Sequence, residues 1–96
     1  MEEDLQNLRS QIDEIDSELI TLLAKRFKVT ERVGILKREN GSPAQDPARE
    51  AAQFEKLTNL ANHAGLDPEA ALAIWRTIID QVIKRHKQLR EEASDE

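Results

Sequence analysis

DLQNLRSQIDEIDSELITLLAKRFKVTERVGILKRE, residues 4–39, decides the fold. Leu5, Leu8, Ile12, Ile15, Leu19, Leu22, Val29, Val33 and Leu36 recur at alternating steps of three and four, which draws one apolar stripe along a helix. The rhythm demands an apolar residue at position 26 and finds Arg26 instead. Gly34 interrupts the same helix, where glycine costs about 1 kcal/mol relative to alanine. A face built for burial thus carries a guanidinium and, two turns later, a hole.

Outward from this segment the chain reads as two further helices. Asn40-Gly41 is a left-handed stop, and GSPAQDP is a loop by its Gly, Ser and Pro content. The second helix starts with Asp46 as N-cap and Pro47 in the first turn, carries Ala51, Phe54, Leu57 and Ala61 on one face, and stops near Gly65. Asp67-Pro68-Glu69 repeats the start signal, and the third stripe is Ala71, Trp75, Ile78, Val82, His86 and Leu89. No segment has the alternation of a strand, so the fold class is all-α with three helices per chain. One domain over 1–96 is expected, ordered over about 5–90, with 91–96 as a frayed acidic tail.

The lengths do not balance. The first helix spans roughly 50 Å, whereas the second and third have about 19 and 24 residues. Ile20, Leu23 and Phe27 add a second apolar flank, so the long helix needs neighbours on more than one side. Pairing of the long helices about a two-fold axis, in a homodimer, meets that need.

Composition narrows the function. Nineteen acidic against 14 basic residues leave a net charge of −5, which disfavours nucleic acid as a partner. No apolar run approaches a membrane span, and the polar start MEEDLQNLRSQ is unlike a secretory or transit segment, so a cytoplasmic location is expected. The absence of cysteine removes disulfides, thiol nucleophiles and thiolate-bound zinc. The two histidines, 23 positions apart, make a poor metal site, and neither a glycine-rich phosphate loop nor a serine nucleophile arrangement is present. No metal or cofactor is expected.

Four cations matter to the reading: Arg26 and Arg49 stand in places that a structural role explains poorly, whereas Lys37 and Arg9, taken singly, are ordinary. Arg26 and Lys37 lie three turns apart and within about 20° around the helix, with Thr30, Val33 and Gly34 between them, a frame for a compact anion. Lys37 alone reads as a complement to the helix C-terminus; Arg26, on the stripe itself, does not. Arg49 occupies the first turn of the second helix, where the dipole favours anions, so either a neighbouring carboxylate (Asp46 or Glu50) or a bound ligand must balance it. Arg9 lies about 25 Å from Arg26 along the helix and about 100° around it, so both reach one small ligand only across a dimer. His86 continues an apolar stripe, as either a satisfied core residue or a donor aimed into a pocket. His63 reads as surface.

With these residues in place the chain resembles the all-helical chorismate mutases of the AroQ type. LRSQIDEIDSELITLLAKR, VGILKREN, DPARE and IIDQVIKRH, in that order and at these separations, carry the resemblance from about Leu5 to Leu89. It implies an intertwined helical homodimer with two active sites and chorismate as substrate. By position, Arg9 would be donated by the partner to one substrate carboxylate, Arg26 would bind the other, and Arg49 would extend the cationic wall. Lys37 would donate to the ether oxygen. Asp46, through its backbone, and Glu50 would hold the ring hydroxyl. Two positions depart from the pattern: His86 replaces a glutamine or glutamate donor, and Val82 replaces a serine found in some members. The same helices also serve isochorismate pyruvate lyases, and a 4-amino-4-deoxychorismate mutase would use Glu50 equally well on an ammonium. A non-catalytic dimerisation or regulatory module would be marked by loss of the cationic cluster, which is intact here.

Overall fold

A computed structural model describes residues 4–94. They form three α-helices, α1 (Leu5–Asn40), α2 (Pro47–Ala64) and α3 (Pro68–Ser94), and no strand among the described residues. Five of the six boundaries have a local chemical cause. The Asp4 carboxylate accepts from the Asn7 amide at 2.7 Å and starts α1. At its end Gly41 takes φ 71°, and the Ser42 amide reaches back to the Lys37 carbonyl at 2.8 Å. Asp46 caps α2 by accepting from the Arg49 amide at 3.1 Å, ahead of Pro47 in the first turn. Gly65, at φ 73°, ends that helix, and Asp67 accepts from the Glu69 amide to begin α3. α3 stays helical as far as Ser94, into the stretch expected to fray; Asp95 and Glu96 lie outside the described residues.

The chain divides into two compact units, with the boundary inside α1 between Thr30 and Glu31. The first unit is helix alone. Its stripe of Leu5, Leu8, Ile12, Ile15, Leu19, Leu22 and Val29 remains 39–62% exposed, too much for a face that a single chain has buried.

The second unit packs the last turns of α1, all of α2 and all of α3 around Ala61, Ala71, Ile78, Ile79, His86 and Leu89. The stripe read for the third helix is therefore the buried face, with Trp75 and Val82 half-buried at its edges. α2 runs antiparallel to α3: Glu50 and Phe54 meet Arg76, while Leu57 and Ala61 line a recess with Ala71 and Trp75. The end of α1 runs parallel to α3. Glu31 pairs with Arg85, Gly34 faces His86 and Leu89, Arg38 donates to the Leu89 carbonyl, and Arg90 donates to the Ser42 carbonyl at 2.6 Å.

Candidate active site

Six of the eight expected site residues, Lys37, Asp46, Arg49, Glu50, Val82 and His86, belong to the second unit. Two ties fix their frame. Arg90 holds the loop at Ser42 beside the end of α3, and Arg76 holds Glu50 further back along the same helix. Between 76 and 90, about 21 Å of α3, lie Val82 and His86. The loop and the start of α2 thus descend along the part of α3 that carries both.

His86 is 4% exposed. Its ring packs on the backbone of α1 where Gly34 has no side chain: a Cβ there would stand 2.5 Å from Cδ2 and 2.9 Å from Nε2 of His86. The hole read from sequence is real, and an imidazole occupies the space above it. Among the described residues of α1, Gly34 is the buried one. Lys37, one turn further along α1, is half-buried and makes no side-chain hydrogen bond or ion pair among the described residues.

Glu50 is the most deeply buried of the acids that form ion pairs in the unit. Its side chain is 13% exposed; Oε1 accepts from Arg76 Nη1 at 3.1 Å, and Oε2 is buried with no hydrogen-bond partner among the described residues. A buried carboxylate oxygen in that state is costly unless a donor reaches it. Arg76 also lies over the Phe54 ring, 4.6 Å from its centroid, and reaches Asp80 at 3.5 Å. Sequence reasoning missed Arg76. The available signals were its spacing of four from Asp80 and the spacing of four between Glu50 and Phe54, and neither predicts contact between helices.

The Asp46 side chain is engaged as the cap of α2, which leaves its backbone for any further role. Arg49 is exposed, and among the described residues neither Asp46 nor Glu50 forms an ion pair with it. Val82 is half-buried, one turn before His86. Arg9 and Arg26 lie in the first unit, where Arg9 is exposed on the helix. No group of acids and histidines among the described residues is arranged to hold a metal ion, and no helix among them is long and apolar enough to cross a membrane.

Residues 8–87, nearly the whole chain and both units, match the family described as chorismate mutase type II. The chain belongs to the chorismate mutase type II family. This chorismate mutase-type chain is 36% identical over 91 residues to a bifunctional chorismate mutase/prephenate dehydratase of Aquifex aeolicus (strain VF5), a match covering 92% of this chain and 25% of that protein. It is 30% identical over 95 residues to a chorismate mutase of Methanocaldococcus jannaschii, covering 99% of this chain and 96% of the relative. A 4-amino-4-deoxychorismate mutase of Streptomyces venezuelae is 25% identical over 81 residues, covering 84% and 79%. The chain thus spans about a quarter of the length of the bifunctional relative and nearly all of the archaeal one.

Proposed function

We propose that this chain is a cytoplasmic chorismate mutase that converts chorismate to prephenate as an intertwined homodimer. The observation that carries the reading is Glu50, a nearly buried carboxylate with one oxygen held by Arg76 and the other buried without a donor among the described residues. A ring hydroxyl supplies that donor. Family membership and the unpaired Lys37 point the same way.

The reaction is a one-step 3,3-sigmatropic rearrangement, so it needs no nucleophile and no proton transfer. Its barrier falls when the enolpyruvyl chain is held over the ring in the reactive conformation. Arg26 and the partner's arginine at position 9 bind the two carboxylates, and Arg49 adds positive potential. As the C–O bond breaks, negative charge grows on the ether oxygen, and Lys37 and His86 donate to it. Each preorganised donor of this kind contributes about 3 kcal/mol to the transition state. Glu50 and the Asp46 backbone fix the ring through its hydroxyl. Val82 gives up a hydrogen bond near the ring carboxylate.

The dimer is supported by the exposed stripe from Leu5 to Val29, which a second copy of α1 would cover. The decisive assay follows the ultraviolet absorbance of chorismate in the presence of the purified protein and identifies the product through acid conversion to phenylpyruvate. Prephenate is the expected product. A folded protein that leaves chorismate untouched would overturn the reading.

A further inference from the structure

The Glu50 carboxylate does not face its ligand as a bare anion. Arg76 donates to Oε1 at 3.1 Å from across the α2–α3 interface and is itself held by Phe54 and Asp80. The side that remains, Oε2, is buried. A hydroxyl and an ammonium both make good hydrogen bonds to such an oxygen, but they differ in charge. An ammonium at hydrogen-bond distance from Oε2 would stand about 5–6 Å from the Arg76 guanidinium and be repelled by it. A neutral hydroxyl meets no such repulsion and keeps a bond to a charged acceptor.

We propose that Arg76 is a specificity-determining residue: by compensating the charge of Glu50 it makes the site prefer a ring substituent that is a neutral hydroxyl over one that is an ammonium. The inference rests on the chorismate mutase reading of the same site and adds to it a residue that does not touch the substrate. Arg76 acts through Glu50 as a positioning and charge-balancing group. Because its side chain is 49% exposed, solvent screens the effect, and the discrimination it supplies is about three- to tenfold.

The test compares kcat/KM for chorismate and for 4-amino-4-deoxychorismate at neutral pH and low ionic strength, in the wild-type protein, Arg76→Gln, Arg76→Lys and Asp80→Asn. Circular dichroism confirms that each variant is folded. Arg76→Gln is expected to shift the ratio of the two constants toward the amino substrate by about three- to tenfold, and added salt to reduce the shift. Arg76→Lys keeps the charge and the wild-type ratio. Asp80→Asn removes a competing carboxylate and moves the ratio toward chorismate. If Arg76→Gln lowers both constants equally, the residue merely braces Glu50 and the proposal is overturned while the mutase reading stands. If the wild-type protein turns over neither substrate, both are overturned.

Discussion

At position 34 a side chain would begin against the ring of His86 and the methyl group of Leu89, which a Cβ would approach to 2.5 Å and 2.8 Å. Both partners are buried, so neither can swing away into solvent. Gly34→Ala gains about 1 kcal/mol of helix propensity, and overpacking costs about 1–3 kcal/mol. The net loss should be about 0–2 kcal/mol, and if His86 is the donor proposed above, kcat falls about tenfold because the imidazole is displaced. Thermal melts read the first effect and steady-state kinetics the second. Combining Gly34→Ala with His86→Ala should cost less stability than the two single changes summed, without restoring kcat, which separates a crowded ring from a damaged helix. The two donors proposed for the ether oxygen, Lys37 and His86, are also unequal. Lys37→Ala removes a charge and should lower kcat by about a hundredfold or more, whereas His86→Gln keeps a donor and should cost less than about tenfold. Equal losses in the two variants would contradict this division. The glycine was legible as a hole in the sequence, but not what fills it, because the filler comes from a helix 52 positions away.

Among the elements, α3 is the common wall: α2 lies against it in one direction and the end of α1 in the other. The helices themselves were readable from periodicity and caps, since these are local properties of the chain. The side-chain ties between helices were not. Neither Glu31–Arg85 nor Glu50–Arg76 follows from any spacing along one helix, and both set the register of the unit. Arg85 grips Glu31 through Nε and Nη2 at 2.7–3.1 Å and also reaches Glu92. Hydrogen bonds from Arg85 lower the pKa of Glu31 below its ordinary value near 4.5; slight burial opposes this, and the charges of Arg85 and His86 add to it. A carboxyl whose pKa is lower in the folded state stabilises the fold above its unfolded value and loses that contribution as pH falls through the folded one. The wild-type melting temperature should therefore exceed that of Glu31→Gln at neutral pH. The gap should be small and salt-sensitive, and should close as pH falls below the ordinary carboxyl range and through the lowered folded value. A gap that persists in acid would assign the effect to packing rather than to charge.

For the molecule as a whole, the proposed dimer can be tested through Arg9 and Arg26. If each site takes Arg26 from its own chain and Arg9 from the partner, then Arg9→Ala and Arg26→Ala are each nearly inactive alone. Mixed and allowed to exchange subunits, they form hybrid dimers with one intact site and one doubly damaged one. At equal amounts, with random exchange, activity should return to about a quarter of the wild-type value. No recovery, with exchange demonstrated by differently tagged chains, would place both arginines on the same side of the interface or outside the site. The exposure of that stripe was legible from length and patterning alone, because it depends on how far the apolar rhythm runs and not on the details of packing.

The seam between the end of α1 and α3 has a temporal side. Its bonds, Glu31–Arg85, Arg38–Leu89 and Ser42–Arg90, join residues 54, 51 and 48 positions apart, whereas α2 and α3 are joined by a short turn and can pair as soon as they form. Closing a long loop is entropically slower than closing a short one, so the α2–α3 hairpin should assemble first and the seam zip up late. Contacts formed after the rate-limiting step govern how fast a protein comes apart rather than how fast it forms. The ring of His86 over Gly34 lies in that late seam. The wall that carries His86 should therefore be completed near the end of folding, and its residues should control the lifetime of the native state.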